Sequence, residues 1–142
     1  PETIPYKGNY FYYSGKNPFS HLIYPLPDHH GLGIHTTIDL SGKLKFGPDV
    51  DFENTSLKVN ATRKEFFLEQ IKKYWPKISK EKLVPDYVGL RPKIFINNKI
   101  YTDFFIQDHM MREVRLICLH GIESPGLTSS LSLAQEISSK IN

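Results

Sequence analysis

The sequence predicts an α+β domain built on a largely antiparallel or mixed sheet with two main helices. Three observations carry that prediction. Strand-like stretches outnumber helical ones, short turns join them, and they do not alternate one for one with helices as a parallel α/β sheet requires. The chain has 142 residues, 39% of them hydrophobic and 13% aromatic. That is one domain's worth of chain with enough apolar material for a core. Eighteen Lys and Arg against 15 Asp and Glu leave a formal charge of +3, too small and too dispersed to argue for nucleic acid. The single cysteine, Cys118, excludes an internal disulfide framework and a Cys-rich zinc module, and it fits a reducing, cytoplasmic setting. No run approaches the roughly 18 apolar residues of a membrane helix, and no signal-peptide pattern opens the chain.

The elements follow in order. Asn9–Ser14 and His21–Leu26 have strand composition, with the Gly15 to Pro18 stretch marking a turn between them and Pro25 and Pro27 ending the second. Asp28-His29-His30-Gly31 is a loop. Leu32–Leu40 alternates strictly, with Leu32, Ile34, Thr36, Ile38 and Leu40 on one face and Gly33, His35, Thr37 and Asp39 on the other. Ser41-Gly42 turns it back into Lys43–Phe46, so Leu32–Phe46 is a predicted hairpin. Thr62 and Glu65 have capping-box spacing, and Phe66, Phe67, Ile71, Tyr74 and Trp75 follow at helical intervals until Pro76. Ile78–Leu83 adds a short turn. Val84–Phe95 is a long strand edged by Pro85 and Pro92, Asn97-Asn98 a turn, Phe104–Gln107 a short strand and Val114–Leu119 a buried-type strand. A final helix is expected from Ser124 to Lys140, with Ser124 as N-cap and Pro125 at the first helical position.

Chemistry-bearing residues are few. The six His include no HExxH and no set with zinc spacing. Glycine-rich phosphate loops and a GxSxG nucleophile motif are also missing from these residues. His35 lies on the strand face opposite the apolar residues. Facing water it is an ordinary surface residue; facing a ligand it is a general-base candidate, because an imidazole titrates near neutral pH. Arg91 belongs to the side-chain type that grips a carboxylate with two parallel hydrogen bonds, and Gly89 leaves space on the same face. Gly126 is a costly residue for a helical first turn. It suits either a tight loop or a close approach of a ligand to open N–H groups at a helix start.

Six stretches in order carry a family likeness: Lys7-Gly8-Asn9-Tyr10-Phe11, Leu22–Pro27, Gly31–Thr37, Phe46-Gly47-Pro48-Asp49-Val50, Gly89-Leu90-Arg91-Pro92-Lys93 and Gly121–Ser130. Together they resemble the C-terminal part of the FAD-dependent D-amino-acid-oxidase-like superfamily, with the L-2-hydroxyglutarate dehydrogenase/oxidase branch nearest. The resemblance implies a two-part flavoenzyme. Residues 1–112 would form the substrate-binding domain, and 113–142 a strand–loop–helix returning to an FAD-binding domain whose glycine-rich loop is not in this sequence. The expectation is therefore a C-terminal fragment with an incomplete FAD site, inactive alone and completed by an N-terminal FAD-binding part, conceivably a separate polypeptide.

The same resemblance implies residue roles. Gly121, Ser124, Gly126, Leu127 and Thr128 would lie at the flavin, with the backbone N–H groups of Gly126, Leu127 and Thr128 near its N1/O2 edge. Arg91 would grip the substrate carboxylate. His35 would take the hydroxyl proton, and Lys7, Tyr24 and Asp49 would stand near the site, with Lys7 or Lys93 serving a distal carboxylate. The implied reaction is oxidation of a small-molecule 2-hydroxy acid, L-2-hydroxyglutarate to 2-oxoglutarate. An amino-acid oxidase or dehydrogenase and a non-catalytic remnant domain are the alternatives. Self-association through exposed apolar surface on Leu127–Ile141 and a cytoplasmic location, peripheral to the inner membrane as in quinone-linked relatives, complete the expectations. Asp28-His29-His30, Asp108–Arg112 and His120 depart from the family pattern.

Overall fold

The computed structural model describes residues 1–26, 33–52 and 56–141; the expected loop at Asp28–Gly31 and the hairpin's first residue, Leu32, lie outside them. The chain is α+β, and every strand pairing with a defined register is antiparallel. It divides into one body formed by Tyr6–Leu90 and another formed by Pro1–Pro5 with Arg91–Asn142.

The Tyr6–Leu90 body contains most of strand β1 (Glu2–Tyr13), β2 (Thr36–Ile38), β3 (Leu44–Phe46), helix α1 (Lys64–Lys72) and the first part of β4 (Leu83–Ile96). The sheet order is β2-β3-β1-β4. The predicted hairpin is present, with Thr36 opposite Phe46 and Ile38 opposite Leu44. Its strands are shorter than the alternation suggests because Asp39 starts the turn early. The Asp39 carboxylate accepts Ser41 N at 2.9 Å, Ser41 Oγ at 2.6 Å and Lys43 N at 3.0 Å. This leaves Leu40 in the turn and fully exposed instead of on the apolar face. His21–Leu26 is not a strand: only Ile23 bridges to Thr36, and the Ile23 N–H donates to the Thr36 hydroxyl at 2.7 Å rather than to a ladder.

Phe11, Leu44, Phe46, Phe67, Ile71 and Leu83 form the centre of the core, with Phe11 and Phe67 ring centroids 4.5 Å apart. The α1 stripe is Phe67, Leu68 and Ile71, while Phe66 is partly exposed beneath the Arg63 guanidinium. Thr62 is not the N-cap. Asn60 takes that role at a short 3₁₀ turn preceding α1, accepting from Thr62 N at 3.2 Å and Thr62 Oγ1 at 2.6 Å. Asn60 stands immediately before the turn with extended backbone, the position from which a side-chain oxygen reaches the turn's free N–H groups, whereas Thr62 lies inside it.

Asp49 joins three segments of this body. Its shielded carboxylate accepts Asn9 N at 2.7 Å and Asn9 Nδ2 at 3.0 Å through Oδ1, and Arg63 Nε at 2.7 Å through Oδ2. Asn9 Oδ1 accepts Asn60 N at 2.9 Å. Two glycines permit the approach: a Cβ on Gly8 would lie 2.6 Å from Pro48 Cβ, and one on Gly47, at φ +127°, 2.7 Å from the Asn9 carbonyl.

In the second body, β4 continues from Arg91 and pairs with β5 (Lys99–Tyr101). Asn97 and Asn98 both adopt positive φ, 51° and 61°, as the two-residue turn requires. Strands β6 (Phe105–Met111) and β7 (Val114–His120) pair along their whole length, from Phe105 opposite His120 to Met111 opposite Val114. β6 thus runs well past Gln107. An Arg115–Asp108 ion pair ties the two strands and holds the Asp108 carboxyl below its ordinary pKa. β7 is not buried within this body: Val114, Leu116 and Leu119 are all exposed. Helix α2 (Ser130–Ile141) begins six residues later than Ser124, because 124–129 form a turn closed by Gly126 N to the Glu123 carbonyl at 2.5 Å and Ser129 N to the Pro125 carbonyl at 3.0 Å.

Replacing Asp49 by Ala removes the acceptor of two Asn9 donors and of Arg63, so the unfolding free energy should fall by about 3 kcal/mol, read from the urea midpoint at constant slope. Hydrogen bonds from Ser41 and Lys43, with Lys45 beside it, hold the Asp39 carboxyl well below the usual carboxylate range. A depressed folded-state pKa contributes stability above the unfolded value, which is lost as pH falls through the folded one. The Asp39 carboxyl resonance should accordingly titrate at lower pH in the protein than in a peptide spanning residues 36–46.

Candidate functional site

His35 is fixed by backbone contacts on both sides. The Ile34 carbonyl accepts from Tyr74 Oη at 2.9 Å, the His35 carbonyl accepts from Gly47 N at 3.1 Å, and Thr36 N donates to the Ile23 carbonyl at 2.9 Å. Burial pushes the Tyr74 hydroxyl pKa up, so it stays protonated and remains a donor at all ordinary pH. Gly33, at φ +71°, lets the Tyr24–Leu26 segment run close beside this stretch, since a Cβ there would lie 2.8 Å from Pro25 Cγ. The alternation does place His35 opposite Ile34 and Thr36, yet that face is not open sheet surface. The Tyr24 ring stacks on the imidazole at 4.6 Å and 16°, leaving Tyr24 61% exposed and His35 only 9%.

Lys7 and Asp49 lie elsewhere in the same body. Lys7 is buried, its Nζ donating to the Lys58 carbonyl at 2.7 Å, and its backbone carbonyl accepts from Asp51 N at 2.8 Å. Asp49 serves the Asn9–Arg63 network described above. These two motif residues hold the fold together, and no sequence signal separates that use from ligand binding.

The second body brings Pro92, Lys93 and Ile94 of β4 against the Gly121–Glu123 segment, with Arg91 next to Pro92 in sequence. Gly121, at φ +65°, packs against β4: a Cβ there would lie 2.4 Å from Ile94 Cδ1 and 3.5 Å from the Pro92 carbonyl. Glu123 forms an ion pair with Lys93. The side chain of Arg91, half-buried two residues before Lys93, forms no ion pair or hydrogen bond among the described residues. Lys93 is therefore engaged, and Glu123, which the sequence reading did not single out, is the residue that engages it. Gly89 is not required by packing, since a Cβ would meet only Tyr10 Cε2 at 3.6 Å.

Gly126 has a sufficient reason for being glycine within its own turn. A Cβ would lie 2.6 Å from Ile122 Cγ2 and 2.7 Å from the Glu123 carbonyl, and its N–H is already given to that carbonyl. Leu127 and Thr128 differ. Both are exposed, and among the described residues their backbone N–H groups donate no hydrogen bond. The segment thus fits an electron-rich ligand edge through these two donors and not through Gly126. Ser124 is exposed within the turn and caps no helix. Beside the turn, two buried polar atoms, His120 Nε2 and Glu123 Oε2, have no hydrogen-bond partner among the described residues. No three His, Cys, Asp or Glu side chains among those residues cluster as metal ligands, and no described helix is long and apolar enough to cross a membrane.

Comparison with known proteins identifies the family. The chain is 43% identical to the mitochondrial L-2-hydroxyglutarate dehydrogenase of Arabidopsis thaliana, over 99% of this chain and 32% of that protein. It is 26% identical to a glycerol 3-phosphate dehydrogenase of Caloramator mitchellensis, over 94% of this chain and 27% of that protein. It is also 26% identical to an L-2-hydroxyglutarate dehydrogenase of Salmonella houtenae, over 96% of this chain and 41% of that protein. The chain thus spans roughly a third of the length of the curated relatives it matches. The family model for FAD dependent oxidoreductases (DAO) matches residues 1–140, so nearly every element described above lies within the match and the chain belongs to that family.

Proposed function

We propose that this chain supplies the substrate-binding part and the flavin-facing turn of an enzyme that oxidises L-2-hydroxyglutarate to 2-oxoglutarate. The observation that carries the reading is that one body holds both a half-buried Arg91 side chain and a turn with the Leu127 and Thr128 N–H groups, none of which has a partner among the described residues. A guanidinium without an acidic partner is an anion site, and its planar fork matches a carboxylate. Membership of an FAD-dependent family supports the redox class, and the 43% identical relative supports the choice of hydroxy acid.

In this reading Arg91 binds and orients the substrate carboxylate. The family resemblance alone assigns the hydroxyl proton to the His35 imidazole. The Leu127 and Thr128 N–H groups hold the flavin at its electron-rich edge, while Gly121, Ser124 and Gly126 shape the turn that presents them. Bound FAD supplies the acceptor for the Cα hydride. Loss of that hydride together with the hydroxyl proton converts a 2-hydroxy acid to a 2-oxo acid. Lys7 and Lys93 are already engaged with the Lys58 carbonyl and Glu123, so neither is a free anchor for the distal carboxylate.

The test is anaerobic bleaching of the flavin in the loaded enzyme that carries this chain. L-2-hydroxyglutarate should bleach it at lower concentration than other 2-hydroxy acids or amino acids; faster bleaching by an amino acid overturns the substrate assignment. Arg91→Ala should weaken substrate binding and turnover by on the order of 2–5 kcal/mol, and unchanged steady-state kinetics would remove Arg91 from the site. His35→Ala should slow flavin reduction on the order of a hundredfold while FAD stays bound; an unaltered reduction rate rules out the base assignment.

A further inference from the structure

We propose that Tyr24 is a positioning residue for His35, acting through the face of its ring and not by binding substrate through its hydroxyl. The inference rests on the reading of His35 as the proton acceptor. Four observations carry it. The two rings are stacked nearly parallel, 16° apart at 4.6 Å. Tyr24 is mostly exposed while the imidazole beneath it is almost closed to solvent, so this ring covers His35. Among the described residues the Tyr24 hydroxyl makes no hydrogen bond, which leaves the ring face as its contribution to the local structure. The backbone next to each ring is joined: Ile23 and Thr36 exchange Ile23 N to Thr36 Oγ1 at 2.7 Å and Thr36 N to the Ile23 carbonyl at 2.9 Å, and Thr36 is fully buried.

This geometry has a chemical consequence. A general base must present one ring nitrogen along the line of the proton it takes. An imidazole rotates about its last side-chain bond with a broad, roughly two-fold preference. A flat ring held against it fixes the plane of the imidazole, so the plane in which His35 presents its nitrogens is set before substrate arrives. Tyrosine suits the position because it presents a broad stacking face and tolerates water on its outer side.

The experiment uses the flavin-loaded enzyme carrying ¹³Cε1-labelled histidine, with the His35 signal identified by its loss in His35→Ala. In the unaltered enzyme the Tyr24 ring current displaces that signal. Tyr24→Leu should abolish the displacement and slow flavin reduction on the order of ten- to a hundredfold. Tyr24→Phe should keep the displacement and recover most of the rate lost in Tyr24→Leu. An unmoved His35 signal in Tyr24→Leu overturns the positioning role whatever the turnover. A Tyr24→Phe enzyme that keeps the signal but is as slow as Tyr24→Leu also overturns it, because the rate would then depend on the hydroxyl. Failure of the base reading is distinct: it shows as unchanged reduction in His35→Ala.

Discussion

The Tyr6–Leu90 body depends on one buried carboxylate. Asp49 has no solvent to hydrate it and is held by two groups of Asn9 and by the Arg63 guanidinium. A shielded charge is tolerable only when its lone pairs are satisfied, and here the partners come from β1 and from the turn before α1. Asn9 extends the network by accepting from Asn60 N, and Asn60 in turn caps the 3₁₀ turn that leads into α1. The helix carrying Phe67 and Ile71 is thereby tied to the sheet by polar contacts as well as by its apolar face. Gly8 and Gly47 follow from the same constraint, since β1 and the segment after β3 must approach more closely than a Cβ allows. The Gly47 N–H then reaches the His35 carbonyl, linking the network to the candidate base.

Much of this fold was legible in local pattern. The hairpin around Ser41-Gly42, the long β4, the Asn97-Asn98 turn and the α+β class rest on short-range rules of periodicity and turn chemistry, and those rules hold here. The misreadings occur where a side chain competes with the backbone. Asp39 ends β2 early by collecting three donors, Asn60 displaces Thr62 as the cap, and Thr36 Oγ1 takes the Ile23 N–H that a strand would have used. Each is a contact of a few residues or of one long-range pair that spacing alone does not reveal.

The candidate site was legible in a different way. Composition and periodicity favour an ordinary surface role for His35 over a ligand-facing one, and they carry no sign of the Tyr24 ring stacked on it. Only the resemblance selected it. Gly126, costly in a helix, suits a tight loop or a ligand contact by sequence; the helix starts at Ser130, and Ile122 and the Glu123 carbonyl already demand the glycine within the loop. The residues with open N–H groups, Leu127 and Thr128, carry no compositional signal at all. A backbone N–H is offered whatever the side chain, so a donor of this kind leaves no mark in composition.

A cation's partner decides what it can bind. Lys7, Lys93 and Arg91 all lie in family-like motifs, and by sequence each could anchor a carboxylate. Lys7 is buried on the Lys58 carbonyl, and moving it to a ligand would leave that carbonyl without its donor. Lys93 is paired with Glu123, so an incoming carboxylate would have to displace a partner of the same charge. Arg91 has no such competitor among the described residues. A half-buried guanidinium has lost part of its hydration without gaining a counter-charge, and an anionic ligand recovers that loss on binding. The preference for Arg91 therefore follows from the engagement of its neighbours as much as from the chemistry of arginine.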